Sequence, residues 1–391
     1  MTTARTLRET FFQLALTALL LGTPPGGGLG LAAGAPPRVA GALQPYVDSG
    51  ALAGAVTLVA SKDKVLSLEA AGCADLAAKK PMRTDALFWI ASESKPLTAT
   101  ALMMLVDEGK VDIADPVEKY LPEFKGQMLA VEQDPEHVLL RKPQRPITVR
   151  DILSHTSGLP FLSRVESKID QHPLREAVIS YALSPLNFEP GTRYQYSNAG
   201  INTAGRIIEV VSGLPYEVFM EQRLFKPLGM KDTTLWPSQR QLERLAKAYK
   251  PNASKTALEE IDISQLTYPL DDRRRGPSPA GGYFSTARDM ARFGQMLLHG
   301  GALEGRRYVS AAAIGEMTRK QTAEGIKESY GLGWSAGSGS FGHGGAYSTN
   351  LGIDTQRQLV TVFMVQHAGY GGADGGKILP AFMKAAQALA P

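Results

Sequence analysis

Apolar residues recur along the chain at two periods, one suited to helices and one to strands. Positions 11–21 (FFQLALTALLL) are close to a continuous apolar run. Val39, Leu43, Tyr46 and Val47 share a helical spacing within 38–49. Positions 56–60 and 65–68 are β-rich runs around the polar turn Ser61-Lys62-Asp63-Lys64, which predicts an antiparallel hairpin. A third short run covers 87–90, and a helix is expected from about 93 to 108, closed by Gly109. Further on, Thr148-Val149-Arg150-Asp151 has the pattern of a capping box with Asp in place of Glu. Helical patterns cover 201–211, 216–224 and 287–298. Strand character returns at 350–354 and 359–365, ahead of a last helix over about 377–389.

Strands thus lie at both ends of the chain and helices in the middle. The fold class this predicts is α/β, a mainly antiparallel sheet flanked by helices, with an inserted all-helical domain. Segments 36–110 and 280–391 would form the discontinuous α/β part and 111–279 the helical part. A cleft between them is the expected place for a site.

Composition narrows the class. The chain has 391 residues, of which 43% are hydrophobic and 20% charged, enough to bury a sizeable core. Forty-two basic against thirty-eight acidic residues leave +4, scattered along the chain, so no nucleic-acid partner is expected. The single cysteine, Cys73, excludes an internal disulfide and a cysteine-based zinc site. Arg5 and Arg8 precede the first apolar run, and Pro24, Pro25 and several glycines follow it. That run is too short to span a bilayer comfortably, so residues 1–35 read as a signal peptide and the protein as exported, periplasmic or secreted. No stable membrane insertion is expected once the signal is removed.

Ser92-Glu93-Ser94-Lys95 opens the helix expected at 93–108. Residues three apart share a helix face, so the Ser92 hydroxyl can lie beside the Lys95 amine. Serine is a weak nucleophile without a base. A lysine serves as one only when neutral, which at pH 7 costs about 4–5 kcal/mol that burial must impose. The pattern alone is common: Ser61-Lys62-Asp63-Lys64 also matches and reads as a turn. Pro96 adds a local conflict, because it removes a backbone donor and disfavours helical geometry at Lys95. Tyr196 and Asn198, in PGTRYQYSNAG, set a phenol and a carboxamide just before a helix. The phenol can relay protons and the carboxamide can hold a substrate. His343-Gly344-Gly345 precedes Ala346, and glycines let a strand edge approach a ligand closely. The amides of Ala346 and Ser92 could then form an oxyanion hole. Gly333-Trp334-Ser335-Ala336-Gly337 matches a nucleophile elbow, but glycines and serines follow it where that elbow needs a long helix. The six histidines show no metal-binding spacing, and no metal or other cofactor is expected. Arg273-Arg274-Arg275 reads as a solvated loop that could alternatively face the cleft.

S-x-x-K, Y-x-N and a His-Gly-Gly strand, in this order, resemble the serine β-lactamase and penicillin-binding-protein superfamily. The similar branch holds class C β-lactamases, D-alanyl-D-alanine carboxypeptidases, D-aminopeptidases and family VIII carboxylesterases. The flanking stretches at 152–159 (ILSHTSGL), 227–230 (PLGM) and 280–286 (AGGYFST) agree with it. The resemblance runs from about residue 40 to the end. It implies Ser92 as the acylated nucleophile, Lys95 as its base and Tyr196 as partner and proton donor. It further implies Asn198, His343, Gly344 and Gly345 as substrate contacts, and His155 as a structural residue.

The third motif departs from the lactamase pattern, where Lys and a hydroxyl residue hold the substrate carboxylate. Here His343 is mostly neutral at pH 7 and Gly344 has no hydroxyl. The expectation is therefore a carboxylesterase for small acyl esters, with β-lactam turnover as a side activity. The alternatives are a class C-like β-lactamase, a D-amino-acid peptidase or DD-carboxypeptidase, and, outside the enzymes, a penicillin-binding sensor that acylates without turnover. The partner expected is a small-molecule ester or amide. The sequence leaves the oligomeric state open.

Overall fold

The computed structural model of the chain describes residues 39–372 and 374–390. The expected signal peptide, residues 1–35, lies outside the described residues. Among the described residues no helix is long and apolar enough to cross a membrane.

Seven strands form the main sheet: β1 (Gly54–Ser61), β2 (Val65–Asp75), β3 (Lys80–Pro81), β4 (Ser335–Ala336), β5 (Ser340–Gly344), β6 (Asn350–Asp354) and β7 (Leu359–Met364). Their order is β4-β5-β6-β7-β1-β2-β3. Every neighbouring pair is antiparallel. The two chain ends meet at the β1–β7 pairing, where Val56 faces Met364 and Ser61 faces Leu359. The expected hairpin at 56–68 and both late strands fall on β1, β2, β6 and β7.

β1 and β7 are central, β7 buried throughout and β1 up to Ala60. Successive side chains point to opposite faces. Val56, Leu58 and Ala60, with Val360, Val362 and Met364, enter one core. Ala55, Val59, Leu359 and Phe363 enter the other. Both faces are therefore covered, which is why these runs read as continuously apolar.

The helices that position the site are α1 (Ser94–Asp107), α2 (Val149–Leu153), α3 (Asn198–Ser212), α4 (Ala287–Leu298) and α5 (Ile378–Gln387). Ile378, Phe382 and Ala386 of α5 share the smaller core with Val39 and Leu43. α4 closes the other face, where a side chain at Gly294 would meet the Val360 side chain at 2.5 Å. α1 is buried along nearly its whole length, its polar Ser94, Lys95, Thr98 and Thr100 included, so it is a core helix rather than an amphipathic surface helix. Pro96 lies in its first turn, where the backbone amides have no intrahelical acceptor, so its missing donor leaves no bond unmade, while Lys95 takes the helical geometry that a following proline disfavours.

The stretch expected to be all-helical also carries two small hairpins, Leu129–Gln133 with Val138–Arg141 and Ala248–Pro251 with Leu258–Ile261. Their strands are short and largely exposed, which leaves little apolar periodicity to reveal them. Helices at Leu174–Ala182 and Ala311–Thr318 also went unread.

The capping box forms as read. Thr148 Oγ1 accepts from Asp151 N at 3.2 Å, and the Asp151 carboxylate accepts from Thr148 N at 2.8 Å. Replacing Thr148 with Ala should lower the unfolding free energy by about 1 kcal/mol in urea titration.

Candidate active site

The Ser92 turn begins from a strained residue. Ala91 has φ 45°, a left-handed value rare for alanine. One 3₁₀ turn, Ala91–Glu93, carries Ser92 and runs into α1. Ser94 Oγ ties the turn down by donating to Ala91 O at 2.6 Å. Lys95 is then enclosed in the protein, fully removed from water.

Lys95 Nζ lies 3.2 Å from Ser92 Oγ. It donates to Asn198 Oδ1 and to Ala280 O, each at 2.8 Å. Burial holds its pKa well below the ordinary lysine value. A neutral amine has two N–H bonds and one lone pair. The two 2.8 Å contacts use both N–H bonds, and the lone pair is left for the Ser92 hydroxyl. The amine also sits 4.6 Å from the centre of the Tyr196 ring.

Tyr196 approaches from the loop before α3. Burial raises its pKa, and the Ser92 hydroxyl acts in the opposite direction. It is therefore a protonated phenol at neutral pH, able to give a proton before it could take one. The cap of α3 is Ser197, whose Oγ accepts from Gly200 N at 3.0 Å. Asn198 is the first helical residue, which frees its carboxamide for Lys95.

The loop at 155–160 pins this segment. Gln195 N donates to His155 O at 2.9 Å, and Ser197 N donates to His155 Nδ1 at 3.2 Å. The His155 ring packs 4.4 Å from that of Tyr196. His155 itself has φ 60°, a second left-handed non-glycine residue beside the site. Burial, with Lys95 and His343 nearby, keeps its imidazole neutral.

β5 supplies the opposite wall. A Cβ on Gly345 would lie 2.6 Å from Ile90 O and 2.2 Å from Thr349 Oγ1. Only glycine lets the strand end reach the backbone just ahead of Ser92. Gly344 is different, since a Cβ there meets its nearest atom at 3.5 Å. The His343 ring turns away from the cleft: Tyr330 Oη donates to Nε2 at 2.9 Å, and Nδ1 donates to Gly344 O at 2.8 Å. Burial and Lys95 push its pKa down to about 3.

Ser92, Tyr196, Asn198, Gly344, Gly345 and Ala346 line one cleft of about 310 Å³. The other sequence-derived residues divide: Lys95 is the floor behind Ser92, and His343 supports the wall by its backbone. Trp89, Phe161, Ile169 and Gln265 also line the cleft and were missed, because no motif marks them. The Ala280 carbonyl was missed too, although its AGG stretch had been singled out. Arg273-Arg274-Arg275 does not line the cleft: Arg275 is buried against Asp170 at 2.7 Å, Arg274 pairs with Asp272, and Arg273 stacks on Trp236. Ser335 lies exposed on edge strand β4, which runs on into strand β5 where a nucleophile elbow needs a helix.

The family model described as Beta-lactamase matches residues 39–379. The chain belongs to the Beta-lactamase family. It is a member of the serine hydrolases built on that fold. Protein Rv1367c of Mycobacterium tuberculosis is 32% identical over 356 residues, which cover 82% of this chain and 87% of that protein. Esterase EstB of Burkholderia gladioli is 34% identical over 194 residues, 46% of each chain. The solved structure of EstCE1, a hydrolase with promiscuous acyltransferase activity, shares the fold with a TM-score of 0.75 at 24% identity, over 90% of this chain and 97% of that one.

Two outcomes follow from the packing of the wall. Gly345→Ala should destabilise the protein by about 1–3 kcal/mol through overpacking, with Gly344→Ala far milder, both read by denaturant unfolding. His343 and His367 are held neutral by burial, at about 3 and about 4, whereas an unfolded histidine takes a proton below about 6.5. The unfolded state then binds more protons, so stability falls as pH drops from about 6.5 toward 3. His343→Gln should make that slope shallower in unfolding measured across the range.

Proposed function

We propose that the protein is a carboxylesterase that cleaves small, uncharged acyl esters through an acyl-enzyme on Ser92. The observation that carries this reading is the cleft lining. Among the described residues no lysine, arginine or histidine side chain lines it, while Trp89, Phe161 and Ile169 give it an apolar wall. A substrate carboxylate, as in a β-lactam, would lose its hydration there without a cation to replace it. An apolar acyl group loses nothing.

In this mechanism neutral Lys95 takes the Ser92 proton as Oγ attacks the ester carbonyl. The amides of Ser92 and Ala346 receive the oxyanion; each such donor typically contributes about 3–4 kcal/mol in the transition state. Tyr196 and the protonated Lys95 return a proton to the leaving alkoxide. The same pair then activates the water that deacylates Ser92, and Asn198 orients both Lys95 and substrate. The cleft lies between the α/β part, 36–110 and 280–391, and the helical part, 111–279. Residues 1–35 act as the export signal in this reading, which places the enzyme in the periplasm or outside the cell.

The decisive assay pairs p-nitrophenyl butyrate with nitrocefin, for wild type, Ser92→Ala, Lys95→Met and Ser335→Ala. Ester turnover should exceed nitrocefin turnover and be lost in Ser92→Ala. It should fall by about 10²–10⁴-fold in Lys95→Met, the range for a general base, and persist in Ser335→Ala. Nitrocefin turnover that outpaces the ester would move the assignment to β-lactamase. Stoichiometric acylation without turnover would make the protein a sensor.

A further inference from the structure

Glu93 follows Ser92 in the chain and takes no part in the acyl-transfer steps. It is 0% exposed. Among the described residues neither of its carboxyl oxygens meets a hydrogen-bond partner. An ionised carboxylate there would give up its hydration with no charge to balance it.

Glu93 sits at the seam of two turns. One is the Ser92 turn, closed by Glu93 N donating to Ile90 O at 3.0 Å. The other is the Ala346 turn, where Gly345 N donates to Thr349 O at 2.8 Å and Ser348 N to Gly345 O at 3.0 Å. Thr349 Oγ1 lies 3.5 Å from Ile90 O, bridging the two turns. The same Thr349 hydroxyl is the polar group that bears on the Glu93 carboxyl.

We propose that Glu93 is a positioning residue: as a neutral acid it packs the Ser92 turn against the Ala346 turn and keeps the two oxyanion amides aligned, and its ionisation separates them. The proposal rests on the acyl-enzyme reading for its effect on rate. Burial raises the Glu93 carboxyl to about 8, with the Thr349 hydroxyl opposing. The titratable groups on the elements around it are Lys95 and, at its far end, Asp107 on α1, His343 on β5, Tyr347 in the Ala346 turn, Tyr283 beside Ser94, and Asp354 at the far end of β6. Burial keeps Lys95 and His343 neutral, and none of the six is an influence on Glu93. The folded protein keeps a proton that the unfolded chain releases above about 4.5. Wild type therefore loses stability relative to an uncharged isostere as pH rises from about 4.5 to 8.

The test compares wild type, Glu93→Gln and Glu93→Ala by thermal unfolding and by p-nitrophenyl butyrate kinetics from about pH 5 to 9.5. Wild-type kcat should fall through about pH 8, and Glu93→Gln should move that limb upward by about one pH unit or more. The Tm advantage of Glu93→Gln should widen up to about pH 8 and then level. Glu93→Ala, which removes the packing, should lower kcat by about tenfold at all pH values with KM within about threefold. An alkaline limb and a Tm profile in Glu93→Gln that coincide with wild type would overturn the proposal. The unfolding arm needs no substrate. A protein inactive on the ester would sink the carboxylesterase reading while the Tm profiles still decide the place of Glu93.

Discussion

The amine of Lys95 has no path to water, and its partners come from three distant parts of the chain. Ser92 stands on the same turn, Asn198 arrives at the start of α3, and the Ala280 carbonyl arrives ahead of α4. A charged amine in that position would need compensation that the site does not offer, so the fold keeps it neutral. Neutrality in turn matches its two N–H bonds to two acceptors and leaves a lone pair toward Ser92. The geometry that buries the lysine and the chemistry proposed for it thus have one cause.

That burial depends on the sheet and on α1 between its neighbours. β1 and β7 join the two ends of the chain, and their alternating side chains fill a core on each face. α1 lies deep in the larger core, which carries Lys95 inward with it. The site is then assembled by close backbone approach. Gly345 brings the end of β5 against Ile90 O, and the left-handed Ala91 and His155 shape the Ser92 and Tyr196 segments. Such strain persists because the surrounding packing over-determines it.

Desolvation also sets the charge state around Ser92. Lys95, His155, His343 and Glu93 are all buried and all shifted toward their neutral forms. A cluster of four titratable side chains with no fixed charge suits an uncharged substrate. In the proposed mechanism the charges that form are the Lys95 ammonium and the transient oxyanion, the latter received by backbone dipoles that need no reorganisation.

Much of this was legible in the linear chain. The β-rich apolar runs of β1, β2, β6 and β7, the helix α4 and the Thr148 box are local patterns, and local patterns follow from propensity and side-chain spacing. The S-x-x-K, Y-x-N and H-G-G segments were legible because chemistry restricts which residues can stand together at short spacing. The short exposed hairpins were not legible, since they bury too little apolar surface to leave a period. The side of β5 taken by the His343 ring was not legible either. Tyr330, thirteen residues earlier, draws it away from the cleft, and no spacing rule contains that pairing. Trp89, Phe161, Ile169 and Gln265 meet in the cleft from segments far apart in the chain. The sequence by itself determined which groups could react and which elements carry them. Tertiary structure alone decided which of those groups lose their water, because burial is a property of the whole packed chain.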